Sequence, residues 1–319
     1  MDTIPLHLAP MASVTNPPMR VVSRRCGAAR CYTEMVNARA IARRIPNALG
    51  LLACLPEEEG TPIVAHLYGA DENDLAEAAT YVTDTGRFCA IDLNAGCPSP
   101  TITRLGAGSA LIRTPERIAK LIEAIRSRTH LPVTLKTRLG PNPRDIRIFE
   151  IVRLAENAGV SAIAVHARFT SEGHSGAPHY DLLRETKSIA RVPIWGNGNG
   201  RDQAGIEALK ACGVDAVLVA RGAIGNPWIF SDCRRPSGAE VLEMLRFHLE
   251  LEYRYRALLV QKGFLASEGS ESQAAVAAFR SHLFRYLSGR PGANNLRAGL
   301  SGYRTVEDIM RAVEPVLQD

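Results

Sequence analysis

The sequence predicts a (β/α)8 barrel followed by a small all-helical domain. Three observations carry that reading. Short apolar or β-branched runs alternate with longer amphipathic stretches through the first ~235 residues, eight strand–helix units in a length that suits such a barrel. No strand-like run follows Arg234-Arg235-Pro236-Ser237-Gly238, where the character of the chain changes. A doubly wound open sheet, the alternative, would need a glycine-rich fingerprint after the first strand, and Ala9-Pro10-Met11-Ala12 is not one. The expected division is residues 1–235 for the barrel and 236–319 for the helical domain.

The expected strands are Leu6–Met11, Cys31–Met35, Pro62–Tyr68, Ala90–Asn94, Val133–Arg138, Ala162–Arg168, Pro193–Asn197 and Ala216–Ala220. Helical patterns between them include Glu72–Thr85, Pro115–Arg128, Asp145–Ala158 and Asp202–Cys212. The last two each end in an Ala/Cys-Gly-Val step, a helix stop that leads into the next strand. Thr114-Pro115-Glu116 supplies a cap, a first-turn proline and a first-turn acid. Beyond the boundary, Ala239–Leu259, Ser272–Leu287 and Thr305–Leu317 read as helices.

Composition narrows the functional classes. A chain of 319 residues with 46% hydrophobic and 22% charged residues is that of a soluble globular protein. No apolar run approaches the ~18 residues that span a bilayer, and the amino terminus carries no basic-then-apolar export pattern. The seven cysteines are odd in number and include no Cys-x-x-Cys pair, which argues against a disulfide scaffold or a zinc ribbon. The expectation is a cytoplasmic protein without a metal site, a membrane partner or a DNA partner. A net charge of +5 permits an anionic partner without demanding one.

The stretch with the most chemistry is Asp92-Leu93-Asn94-Ala95-Gly96-Cys97-Pro98. Asn brings a two-sided amide, Gly permits close backbone approach, and Pro stops the ladder and stiffens the loop that carries the thiol. The turn is suited to holding one sulfur beside a flat ligand. The other strand ends share this polar character: Pro10-Met11-Ala12, Glu34, His66, Lys136 with Arg138, His166 with Arg168, Asn197-Gly198-Asn199, and Ala220-Arg221-Gly222. Strand ends converge on the active face of such a barrel, and core packing has no use for this set. Alternation along Val-Thr-Leu-Lys-Thr-Arg points Lys136 and Arg138 the same way. The loops after strands seven and eight, at a helix start, are the usual phosphate-binding place in these barrels.

Ala9-Pro10-Met11-Ala12-Ser13-Val14-Thr15-Asn16-Pro17-Pro18, Asn94–Pro98, Lys136-Thr137-Arg138-Leu139-Gly140, Val165-His166-Ala167-Arg168, Gly196-Asn197-Gly198 and Ala220-Arg221-Gly222 together resemble the dihydrouridine synthase family, in its motif order from about residue 6 to Phe230. The resemblance implies a flavoenzyme that reduces particular uridines of tRNA with FMN and NADPH. It implies Cys97 as the catalytic proton donor to C5 of uracil, while the hydride goes to C6. A thiol with an ordinary pKa near ~8.5 is protonated at neutral pH and can still release its proton. The resemblance assigns cofactor contacts to Pro10, Met11, Ala12, His66, Lys136, His166, Asn197, Gly198, Asn199, Ala220 and Arg221, and substrate contacts to Asn94, Arg138 and Arg168. Glu34 reads equally as a site or a structural residue. Two positions depart from the pattern, His66 where relatives carry Gln and Asn199 where Asp is common. Both bear on FMN affinity and neither removes the catalytic group.

The interval Ser272–Val306 holds no acid and includes Arg280, Arg285, Arg290, Arg297 and Arg304, interleaved with His282, Phe284, Tyr286 and Tyr303. It reads either as an RNA phosphate-binding surface or as a solvated helix face over ordinary aromatic packing. Two other functions remain open on the sequence. One is an FMN barrel acting on a free pyrimidine, as in dihydroorotate oxidation. The other is a non-catalytic RNA-binding barrel.

Overall fold

The computed structural model of the protein describes residues 4–231, 233–265, 271–293, 296 and 302–318. Nine parallel strands are present: β1 (Leu6–Leu8), β2 (Arg30–Tyr32), β3 (Val36–Asn37), β4 (Ile63–Tyr68), β5 (Ala90–Ala95), β6 (Val133–Arg138), β7 (Ala162–His166), β8 (Ile194–Asn197) and β9 (Ala216–Val219). They run in the order β2-β1-β9-β8-β7-β6-β5-β4-β3, and β2 also pairs with β4. That pairing closes an eight-stranded barrel, with the two residues of β3 riding on the end of β4.

Each strand sorts its side chains by the period-two rule. Leu8, Cys31, Ile63, Ala65, Ile91, Leu93, Val133, Leu135, Ile163, Val165, Ile194 and Val217 join the outer core beneath the helices. The alternate residues Ala9, Tyr32, Val64, Ala90, Ala162, Ala164, Trp195, Ala216 and Leu218 form a separate inner cluster. Five small alanines leave room inside the barrel for the rings of Tyr32 and Trp195. Two residues beyond Val64 and Ala90, the same inward direction places His66 and Asp92, with Thr134 and Lys136 inward on β6, and packing gives way to chemistry.

Strand ends fall short of the sequence expectation where the ladder runs out of donors. β1 stops at Leu8, with Ala9 N still donating to Val219 O at 2.8 Å, because Pro10 has no N–H to offer. β7 stops at His166, after which Arg168 N turns back onto His166 O at 2.6 Å. The expected helix from Asp145 begins at Ile148, since Asn142 and Asp145 pair in a tight loop first.

The helices are α1 (Pro17–Arg25), α2 (Ala38–Ala42), α3 (Pro46–Gly50), α4 (Glu72–Asp84), α5 (Pro100–Thr103), α6 (Pro115–Arg126), α7 (Ile148–Asn157), α8 (Tyr180–Ile189), α9 (Gln203–Lys210), α10 (Gly238–Gln261), α11 (Glu271–Tyr286) and α12 (Val306–Leu317). Asn16 caps α1 by accepting from Met19 N at 3.1 Å, and Pro17 and Pro18 start it. Arg20 of α1 is buried against Glu58 at 2.6 Å and also donates to Thr15 O and Ala53 O, which fixes the loop between β1 and α1. The long helix α10 packs on α1, α11 and α12. Tyr255 Oη donates to Gly50 O at 3.3 Å, and Arg25 pairs with Glu243 at 2.7 Å, so the terminal helices sit against the barrel's first helical turns. Among the described residues no helix is long and apolar enough to cross a membrane.

Candidate active site

A cavity of about 310 Å³ opens at the carboxyl ends of the strands, within the usual size range of small-molecule sites. Every site residue expected from the sequence lines it: Pro10, Met11, Ala12, His66, Asn94, Cys97, Lys136, Arg138, His166, Arg168, Asn197, Gly198, Asn199, Ala220 and Arg221. Glu34 is not on that wall. It accepts from Ser13 N, and burial raises its carboxyl pKa, so its place is beneath the first loop.

The thiol loop is built by Asn94. Its Oδ1 accepts from both Gly96 N and Cys97 N at 3.0 Å, an Asx-type turn that spends the amide oxygen on the loop rather than on a ligand. Its Nδ2 faces Met35 Sδ at 3.6 Å. Ser109 N holds Cys97 O at 2.9 Å from the other side. Gly108 makes this possible. Its φ is +60°, and a Cβ there would stand 2.6 Å from Cys97 O. Cys97 is half-buried and is the only cysteine on the cavity wall.

Two of the expected substrate-binding cations are engaged with the protein. Arg138 donates to Gly96 O at 2.9 Å, Phe169 O at 3.1 Å and Gly173 O at 2.8 Å, so it ties the thiol loop to the loop after β7. Burial, and then Arg168, push its pKa down to about 10. Arg168 donates to Ser175 O at 2.9 Å, Gly176 O at 2.6 Å and Asn199 Oδ1 at 2.9 Å. Both guanidinium groups are wall ties that also border the cavity.

Lys136 is placed differently. Among the described residues its Nζ hydrogen-bonds only to Asn197 Oδ1, at 3.3 Å, and burial followed by the neighbouring Arg138 pushes its pKa down to about 8. Asn197 is steadied in turn by donating to Leu218 O at 2.8 Å. The nearest carboxylate, Asp92, is occupied by His66 Nδ1 at 2.6 Å and Thr134 Oγ1 at 2.5 Å. With Nδ1 held by that carboxylate, the other edge of the His66 imidazole is the one available to the cavity. His166 is held well below the usual imidazole range by burial and then by Arg138, Lys136 and Arg168, so it stands neutral, stacked on His174 at 5.8 Å.

At the mouth, Asn199 takes a left-handed φ of +58°, and the backbone of Gly222 runs hard against Gly200 and Arg201. Exposed Arg201 and Arg221 flank this junction, and Asp202 caps α9 by accepting from Gly205 N at 2.8 Å. Among the described residues the lining contains no acid, against Lys136, Arg138, Arg168, Arg201 and Arg221. A cationic, flat-sided cavity with glycine-rich backbone at one end fits a ring system that takes up negative charge and carries a phosphate. Met35, His174 and Arg201 were not foreseen as site residues. His174 had a signal in its Gly-His-Ser-Gly loop, and Arg201 in its position directly after the Asn-Gly-Asn-Gly turn.

Comparison with known proteins agrees with this geometry. The family described as dihydrouridine synthase matches residues 7–318. A probable tRNA-dihydrouridine synthase of Aquifex aeolicus is 30% identical over 312 residues, 96% of this chain and 94% of that one. The tRNA-dihydrouridine synthase B of Pseudomonas aeruginosa is 33% identical over 305 residues, 92% of this chain and 86% of its own length. That of Xanthomonas campestris pv. campestris is 31% identical over 318 residues, with coverages of 94% and 89%.

Proposed function

Because the chain belongs to the dihydrouridine synthase family, whose members are flavin-dependent oxidoreductases, we propose that it reduces the C5–C6 bond of uridines in tRNA with Cys97 as proton donor. The observation that carries the reading is the joint placement of one thiol and one lightly bonded lysine in an acid-free cavity. FMN is the flavin that suits the site: Gly198–Gly200 and Arg221 would hold its phosphate and Lys136 would meet its ring edge. When bound and reduced it supplies the hydride for C6 of the uracil.

The remaining work falls to the chain. Cys97 hands its proton to C5, and the thiolate is reprotonated from solvent. Lys136 and Arg138 both lie close enough to sense charge at Cys97, so the thiol stands in a cationic setting. Neutral His166 can contact the ring without adding a further cation. His66, held by Asp92, offers a fixed imidazole where relatives place an amide. The target uridine must leave its stack to reach a thiol recessed among the strand ends. Burial, then Arg201, Arg168 and lastly Arg285 of α11 lower the pKa of Arg221, so positive charge runs from the cavity mouth onto the terminal helices, a path for RNA phosphates. The aromatics expected beside those arginines divide: His282 and Tyr286 are buried in the core, while Phe284 is half-buried. Arg297 lies outside the described residues. Residues 1–235 would then form the catalytic unit and 236–319 the RNA-binding unit, with NADPH as the reductant of the flavin.

The test is Cys97→Ala. The variant should purify yellow, bind tRNA, and let NADPH bleach its flavin at the wild-type rate. Dihydrouridine formation should fall by roughly 100-fold or more, the usual worth of a positioned general acid. Wild-type-like turnover would remove Cys97 from the reaction, and equal turnover of free uridine would remove tRNA as the substrate.

A further inference from the structure

We propose that His248, Glu252 and His282 form a structural site for a divalent transition metal of the zinc class, stapling α10 to α11. All three side chains are buried to within 1% of full exclusion from solvent, and one ligating atom from each lies within 4.8 Å of the other two. His248 and Glu252 stand one turn apart on the same face of α10, and His282 reaches them from α11.

Their hydrogen bonding leaves one atom of each without a partner. His248 Nδ1 meets Tyr286 Oη at 3.0 Å, and its Nε2 is buried with none. Glu252 Oε1 accepts from Asn16 Nδ2 at 2.5 Å, while Oε2 is buried with none. His282 Nδ1 is buried with none. Three buried polar atoms without partners in one cluster are poor packing, because each forfeits its bonds to water. Two imidazoles and a carboxylate are the donor set of zinc and its neighbours, with a fourth position left for water. Ligands on tetrahedral zinc stand roughly 3.3 Å apart, given bonds of about 2.0–2.1 Å. Closing the cluster from its present span therefore needs each side chain to draw in by about an ångström or less.

The outer contacts are of the kind that orient metal ligands. Tyr286 Oη holds the second nitrogen of His248, and Asn16 holds the second oxygen of Glu252. Burial keeps both imidazoles neutral, His282 being pushed down to about 4. It raises Glu252 to about 7, a proton that a cation would displace. Arg256 and Glu34 also act on Glu252, so the competing arrangement is a plain Arg256–Glu252 ion pair. The contact with Asn16 matters further, because Asn16 ends the loop that carries Pro10–Ala12 to the cavity. An ion at this site would brace that first loop from behind. Zinc binding without cysteine is invisible to a search for Cys-x-x-Cys pairs, which is why the sequence reading expected no metal.

The site is sealed, so the ion would be captured as the chain folds. The full-length protein is therefore produced in medium supplemented with Zn2+, or with Co2+ in its place, and passed through chelator before elemental analysis. About one equivalent should remain, and the His248→Gln/His282→Gln double variant should retain at least tenfold less. The Co2+ form should show d–d bands without a thiolate-to-cobalt charge-transfer band, separating this cluster from the seven cysteines. Flavin content and circular dichroism show whether the variant has folded, and the wild-type Co2+ spectrum stands independently of it. Wild type that retains less than a tenth of an equivalent, metal retained by the folded double variant, or a thiolate band would each overturn the proposal.

Discussion

Lys136→Met should make the flavin-free protein more stable while weakening its hold on flavin. A lysine held at about 8 instead of 10.5 carries about 3 kcal/mol of unfavourable environment in its charged form. Methionine keeps the stem and discards the charge. Losing the 3.3 Å bond to Asn197 gives back about 1 kcal/mol, so the net gain is about 2 kcal/mol. For a chain of this size that corresponds to roughly 4 °C in Tm. The pH dependence fixes the cause. Below pH 8 the wild-type lysine is charged in both folded and unfolded chains, and its penalty is complete. Between about 8 and 10.5 the folded chain releases the proton while the unfolded chain keeps it, so wild-type stability rises with pH and the variant's advantage shrinks. Urea unfolding of both flavin-free proteins at pH 7 and pH 9.5 measures this directly. A Lys136→Met protein that is less stable than wild type at pH 7, or an advantage unchanged at pH 9.5, would refute the view that this cavity is strained until an electron-rich ligand enters it.

Three further substitutions separate the thiol loop from the frame that holds it. Gly108→Ala forces a Cβ to within 2.6 Å of Cys97 O at a positive φ; turnover should fall while flavin content, read by absorbance, holds. Glu58→Gln leaves Arg20 buried without its carboxylate, an expected loss of ~3–5 kcal/mol in urea unfolding. Glu243→Gln, which breaks the exposed pair with Arg25, should cost no more than ~1 kcal/mol in the same assay.

The barrel was legible because each strand carries its own inside and outside. Val133-Thr134-Leu135-Lys136-Thr137-Arg138 alternates between the outer core and the cavity, and the structure forms β6 over those same residues. Asn94 and Cys97 were legible for the same reason, as the inward end of β5 and its loop. What the letters do not carry is the backbone carbonyl. Arg138 and Arg168 were assigned substrate contacts by the family resemblance. Both border the cavity, and their guanidinium groups also meet the carbonyls of Gly96, Phe169, Gly173, Ser175 and Gly176, none of which a side-chain reading can place. The same bonds explain why His174 was missed, since Arg138's bond to Gly173 and Arg168's grip on residues 175 and 176 bring that loop over His166. Pairing across helices is hidden too, because nothing in the spacing of His248 and His282 says that α10 and α11 cross there. Sorting the cations by what they already hold sharpens the site. Arg138 and Arg168 keep the walls together, so the charge left to meet a ligand is that of Lys136 at the ring end and of exposed Arg201 and Arg221 at the mouth. A bound molecule must therefore carry its negative charge at two places, one deep and one shallow, as a reduced flavin mononucleotide does.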